Sequence, residues 1–339
     1  MYSPVIDTIT FHFLISMAVS KRLEMCLMDV VTAYLYGSLD SDIHMKIFEG
    51  YKMPEAYTSR NLFSIKLQRS LYVLKQSSRM WYKCLSEYLM KEGYKNDPIY
   101  PCVFIKKSEI RFAIIVIYVD DMNLIGTPEE LSKTVEYLKK EFEVKDLGKT
   151  KLCLSLKLEH KENEIIVHQS AYTKRVLKCF CMDNAYPLST LIVVLSLEPH
   201  KDLFHPKEPN EKIFGLEVPY LNAIEALMYL AQCTKSNIAF TINLLARFSS
   251  EPTRRHWNVI KHIFRYPQEI IDFGLFYSNE TTSPGLVGYT DAGYKSNPHK
   301  AHSQTDYLFC YNGTAISWQH LPTTPRLFSF MKLKKSVFG

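Results

Sequence analysis

Asp120 and Asp121 stand side by side in an otherwise apolar run, Ile114-Ile115-Val116-Ile117-Tyr118-Val119-Asp120-Asp121-Met122-Asn123-Leu124-Ile125-Gly126. A charged pair inside strands is costly unless it lies at an exposed turn or meets cations. The β-branched residues before it and the shorter apolar segment after it predict a hairpin with the acids at or beside the turn. Two carboxylates this close repel each other, so a divalent ion is their natural partner. Asp29, near the end of the short strand expected over Leu23 to Val30, is an acid placed in the same manner. Carboxylates at the ends of apolar strands can hold two metal ions for an in-line phosphoryl transfer. A strand-end Asp also serves as a turn or cap residue, and spacing alone does not bring the three together.

The elements that must position these acids read as α+β. From Arg79 to Glu92 apolar residues recur at Trp81, Leu85, Tyr88 and Leu89, with Gly93 as a stop, which predicts an amphipathic helix under the sheet. After the acidic hairpin, Thr127-Pro128-Glu129-Glu130 supplies an N-cap, a proline at the first helical position and a capping-box acid, and Leu131, Val135, Leu138 and Phe142 form one stripe. The segment 187–218 carries Pro187, Pro199, Pro206 and Pro209 and suits a linker. Helices follow, one with Ser236 or Asn237 as its cap and another opening at Pro252-Thr253. The latter carries Trp257, Ile260 and Phe264 inward and ends at Pro267. Arg254, Arg255, Lys261, His262 and Arg265 lie among its apolar residues, either tracking a phosphate backbone or forming a plain solvated face. Strands are expected over Leu286 to Asp291, Tyr307 to Tyr311 and Thr314 to Trp318, the last two joined at Asn312-Gly313.

Composition sets wide bounds. The 339 residues, 47% hydrophobic, can hold two or three modest domains. A net charge of +6 permits a nucleic-acid partner without requiring one. Eight cysteines without a paired C-x-x-C spacing argue against zinc and for a reduced, intracellular setting. Phe11 to Val19 is too short to span a bilayer and has neither a basic leader nor a cleavage pattern. A soluble protein without membrane partner or targeting signal is the expectation.

Met28-Asp29-Val30, Tyr118-Val119-Asp120-Asp121 and the stretch Ser70 to Tyr82 together resemble the reverse transcriptase of Ty1/copia-type retrotransposon Pol polyproteins, closest to plant copia-like elements. Phe142 to Gly148, Pro219 to Tyr229, Cys233 to Ser249 and His256-Trp257 resemble later parts of that family, and Gly288 to Ala292 resembles the opening of its ribonuclease H domain. The resemblance implies a palm with partial fingers and thumb, a helical connection and a truncated ribonuclease H-like α/β segment. It places the reverse transcriptase domain at 1–186, the linker at 187–218, the connection at 219–283 and the nuclease-like segment at 284–339. It implies that Asp29, Asp120 and Asp121 hold two Mg²⁺ ions. Backbone amides near Thr32 and Ala33 would contact the triphosphate, Tyr34 would stack under the sugar and exclude a 2′-hydroxyl, and Gln76 and Arg79 would face nucleotide and template. The implied partners are an RNA or DNA template-primer and dNTPs, and a homodimer is compatible with the family. Asp291 matches the first nuclease carboxylate, with no acid after Trp318, so ribonuclease H activity is expected to be absent.

Departures from the family pattern accompany these matches. Met1 to Val5 resembles a point already inside the polymerase domain, and Val73, Ser78, Ser155, Glu225 and Pro267 stand where the family has other residues. The expectation is an RNA-directed DNA polymerase impaired by truncation. The alternative is an inactive retroelement remnant that at most binds nucleic acid. A metal-dependent phosphohydrolase would have no reason to carry the stretch from Tyr72 to Tyr82.

Overall fold

A computed structural model describes residues 3–323 apart from 53–62, 73, 109–110, 190–207, 209–210, 216, 270, 281–283 and 294–302. Val73, most of the linker expected at 187–218 and everything after residue 323 lie outside the described residues. The chain is mixed helix and sheet and divides into two compact units. One comprises 1–7 and 22–150, the other 8–21 and 151–339.

The chain's first helix, α1 (Thr8–Ser20), belongs to the second unit. The first unit is built on β1 (Glu24–Val30), β2 (His44–Lys46), β3 (Ser64–Lys66), α2 (Ser77–Lys91), β4 (Lys95–Asn96), β5 (Val103–Lys107), β6 (Phe112–Tyr118), β7 (Asp121–Gly126), α3 (Pro128–Glu141) and β8 (Val144–Lys149). Six of its strands form one antiparallel sheet in the order β4-β5-β6-β7-β1-β8, and β2 pairs with β3. β6 and β7 are buried along almost their whole length, which explains why they read as continuous apolar runs rather than alternating ones. Helix α2 presses Trp81, Leu85 and Leu89 against Met28, Ile115, Ile117 and Met122 of this sheet.

Helix α2 ends as its glycine predicts. Gly93 has φ +88°, its N–H reaches Met90 O, and Tyr94 N–H reaches back to Leu89 O, the double bond of a Schellman termination. Gly37 fixes the other approach, since a Cβ there would stand 2.7 Å from Met80 Cβ and 3.0 Å from Trp81 N. Helix α3 starts with Pro128 in its first turn as expected, but the capping box does not form. Thr127 makes no side-chain cap bond, and the buried Glu130 carboxylate pairs with Lys106 Nζ at 3.2 Å. That ammonium also lies 5.4 and 5.5 Å from the Tyr94 and Tyr137 ring centres, and a charge pair braced by two rings outcompetes a reach-back to one amide.

The second unit contains β9 (Leu152–Cys153), β10 (Leu156–Lys161), β11 (Glu164–His168), α4 (Ser170–Cys179), α5 (Tyr220–Cys233), α6 (Ala239–Ala246), α7 (Arg254–Glu269) and β12 (Leu275–Ser278). It is completed by β13 (Leu286–Gly293), β14 (Ser303–Tyr311) and β15 (Thr314–Thr323). The sheets run β12-β11-β10-β9 and β13-β14-β15. Leu227, Ile242, Ile260, Ile263 and Phe264 form the helical core. Asn312 and Gly313, at φ 50° and 78°, make the tight β14–β15 turn with the two positive φ values of type I′.

Two expectations for the helices are corrected. Ser236 and Asn237 lie in a 3₁₀ turn leading into α6 without a side-chain cap bond, and Asn237 Nδ2 donates instead to the Tyr266 hydroxyl at 2.6 Å. Pro267 lies inside α7, which continues to Glu269. So near the end of the helix, a proline forfeits a bond in the last turn only.

Candidate active site

Two chain segments meet at the acids. Asp29 is the last residue but one of β1, and the β6–β7 turn consists of Val119 and Asp120, followed at once by Asp121. Asp29 and Asp121 face each other as a cross-strand pair, so both side chains leave the same face of the sheet. Like charges directly opposite destabilise a sheet. On the other side of Asp29 its partner is Lys145 of β8, a basic residue within the family-like segment Phe142 to Gly148.

The turn is held from two sides. Val30 N–H donates to Asp120 O at 3.0 Å, and Trp81 Nε1 donates to Val119 O at 2.9 Å. Val119 sits at φ 58°, where a β-branched residue is strained by ~1–3 kcal/mol. Thr32, just after β1, is also β-branched and adopts φ 52° as it opens the 3₁₀ turn Ala33–Tyr36. Strained backbone of this kind persists where the surrounding packing over-determines it, and it clusters at functional sites.

Burial, opposed in part by the Tyr72 hydrogen bond and reinforced by Asp29, raises the Asp120 carboxyl above its ordinary pKa. Burial and the charges of Asp29 and Asp120 do the same to Asp121. Asp120 Oδ2 accepts a 3.3 Å hydrogen bond from the Tyr72 hydroxyl, while its Oδ1 is buried without a partner. The Tyr72 ring lies 4.4 Å from that of Tyr34. Tyr72 was visible only as one letter of a longer motif, and Trp81 only as another letter of it and as a core residue of an amphipathic helix. Their contacts join segments far apart in the chain.

The residues fit a divalent cation in charge and in donor chemistry. An orphaned carboxylate oxygen and carboxyls pushed up by burial and by neighbouring acids are what a cation would relieve. Among the described residues no three His, Cys, Asp or Glu side chains form a ready-made metal cage. Mg²⁺ does not need one, since it binds through one or two carboxylates and completes its shell with water and substrate phosphates.

The remaining expected site residues are distributed differently. Ala33 is fully buried, and Thr32 and Tyr34 lie beside it directly after β1. Gln76 stands at the start of α2. Arg79 pairs with Asp40 at 2.7 Å on the wall of a cavity of about 1120 Å³, with Tyr82, Lys83 and Glu87 among its lining residues and none of the three acids. Asp291 lies on β13 opposite Asp306 in register, and its side chain is outside the described residues. Among the described residues no helix is long and apolar enough to cross a membrane.

Comparison with known proteins adds an independent finding. Residues 1–194 match the family described as reverse transcriptase (RNA-dependent DNA polymerase). The chain is 35% identical over 323 residues to the retrovirus-related Pol polyprotein from transposon TNT 1-94 of Nicotiana tabacum, covering 94% of this chain and 24% of that protein. It is 27% identical over 321 residues to the Pol polyprotein from transposon RE1 of Arabidopsis thaliana, covering 94% and 21%. To the transposon Ty1-DR1 Gag-Pol polyprotein of Saccharomyces cerevisiae it is 25% identical over 320 residues, covering 89% and 17%. The chain thus spans a quarter or less of the length of each of these relatives.

Proposed function

The chain belongs to the reverse transcriptase (RNA-dependent DNA polymerase) family of copia-type retrotransposons, and on that premise we propose that it transfers nucleotides from dNTPs to a primer 3′-hydroxyl, templated by RNA or DNA. The observation that carries this reading is the meeting of Asp29, Asp120 and Asp121 at a strained turn, where a buried carboxylate oxygen lacks a partner.

In this reading the six-stranded sheet with α2 and α3 is the palm, part of a reverse transcriptase domain over 1–186. Residues 187–218 are a linker, 219–283 a helical connection and 284–339 a ribonuclease H-like segment in which Asp291 takes the first acidic position. Asp29, Asp120 and Asp121 hold the cations, two Mg²⁺ by analogy with the family. When bound, these ions favour deprotonation of the primer hydroxyl and neutralise charge on the triphosphate. Amides at Thr32 and Ala33 orient the phosphates, and Tyr34, braced against Tyr72, supports the sugar and crowds a 2′-hydroxyl. Gln76 and Arg79 serve the nucleotide and template sides, with Arg79 steered by Asp40.

A nucleic-acid partner finds support in the second unit. α4 has no acidic residue and exposes Lys174, Arg175 and Lys178, and α7 has Glu269 as its sole acid. The two helices pack through Phe180 and Phe264, stacked at 4.8 Å. Arg254 and Lys261 are exposed on α7, and Lys261 lies 5.9 Å from the Trp257 ring centre. Basic residues interleaved with aromatics suit a phosphate backbone.

The test is primer extension on an RNA template with Mg²⁺, comparing the wild type with the Asp120→Asn, Asp121→Asn double variant. Extension by the wild type that the variant abolishes is expected. Two folded proteins by circular dichroism, neither extending, would leave the basic helices as the surviving feature and nucleic-acid binding without catalysis as the reading.

A further inference from the structure

The Tyr72 hydroxyl stands at a crossing point. It donates to Asp120 Oδ2 at 3.3 Å, and the backbone amides of Ala33 and Tyr34 lie near it. One hydroxyl therefore stands beside loop amides on one side and caps a carboxylate on the other. A phosphate oxygen would take the first role and a cation the second. Tyr72 thus occupies Oδ2, one of the two Asp120 oxygens a cation would draw on, while Oδ1 has no partner.

Resting on the polymerase reading above, we propose that Tyr72 is a placeholder in the nucleotide site, its hydroxyl filling the position between the Ala33–Tyr34 amides and Asp120 that a triphosphate–cation pair takes on binding. The side chain is free to leave: Tyr72 is 50% exposed, and its ring packs on that of Tyr34. The backbone beside it is pinned. Leu71 O accepts from the Ser77 hydroxyl at 2.5 Å and from Leu74 N–H at 3.0 Å, and the buried Ser70 hydroxyl donates to Tyr34 O. Entry of substrate thus requires a side-chain rotation rather than movement of the loop. Tyr72 thereby sets how tightly the site takes its nucleotide, by what must be broken first.

The experiment is titration of Mn²⁺ with dTTP, without primer, following free Mn²⁺ by electron paramagnetic resonance. Wild type, Tyr72→Phe and Asp120→Asn are compared, with melting curves to show that each is folded. Tyr72→Phe keeps the ring and removes the competing hydroxyl, so it is expected to bind about fivefold tighter, the worth of one long hydrogen bond. A loosened fold would weaken binding instead, so a gain is not a structural side effect. Affinity equal to or below wild type overturns the placeholder role, while loss of binding in Asp120→Asn leaves the cation site standing. Equal binding by wild type and Asp120→Asn overturns the polymerase reading at this site, and the placeholder with it.

Discussion

At Asp120 and Asp121 the folded protein holds on to protons more tightly than the unfolded chain does, because burial and neighbouring acids raise both carboxyls. A raised acid contributes stability that is fully present below the unfolded pKa, about 3.9 for Asp, and is lost as pH rises through the folded value. Without divalent ions, the Asp120→Asn, Asp121→Asn variant should therefore melt above the wild type at pH 7, and the gap should close as pH falls toward 4. In differential scanning calorimetry each kcal/mol corresponds to a shift of about 2–4 °C or less in a chain of this size. Mg²⁺ at neutral pH should raise the melting point of the wild type and not of the variant. A gap that stays constant with pH would mean that the repulsion is already relieved by other groups. The doublet was legible in the sequence, because two acids in so apolar a run have few structural uses. That Asp29 faces Asp121 was not, since it depends on which strands become neighbours.

Helix α2 acts as the buttress of the acidic hairpin. Its Trp81 is almost fully buried and donates to the carbonyl of strained Val119, so Trp81→Phe removes the donor and leaves that carbonyl unpaired. The expected cost in denaturant titration is about 1–3 kcal/mol, accompanied by faster amide exchange at the β6–β7 turn. A cost within error would show that the turn holds itself. Among the second unit's elements, α4 and α7 make a separate prediction. Lys174→Ala, Lys178→Ala and Lys261→Ala together should weaken binding to an RNA–DNA duplex and lower the slope of log affinity against log salt by about one for each phosphate no longer neutralised. An unchanged slope would assign these residues to an ordinary solvated face. Helix limits were legible where backbone geometry leaves little choice, as at Gly93 and Pro128. Cap chemistry was misread where a side chain found a distant partner, as Glu130 did with Lys106.

For the molecule as a whole, the N-terminal helix folds with residues far along the chain. His12 is buried and bonded to Cys233 O and to the Tyr277 hydroxyl, each at 2.8 Å, and Ser16 donates to Tyr311 O. His12→Ala should destabilise by about 1–3 kcal/mol, the desolvation cost of partners left unpaired. In hydrogen exchange the loss of protection should fall on β12 and α5, with β6 and β7 retaining theirs. Equal loss throughout would mean that the two compact units unfold as one.

Family membership, the placing of the Asp120-Asp121 doublet at a turn and the hairpins at Val119-Asp120 and Asn312-Gly313 could be read from the residues alone. Acids cannot hide in apolar strands, and Asn-Gly takes positive φ with little penalty. Helix α1 is apolar on nearly every side, so its pattern gave no face and no partner. Packing in three dimensions was needed to assign it to the second unit, turn Arg79 to Asp40, set Tyr72 over Asp120 and brace the turn with Trp81. Each of these joins residues remote in sequence, chosen by how the elements pack.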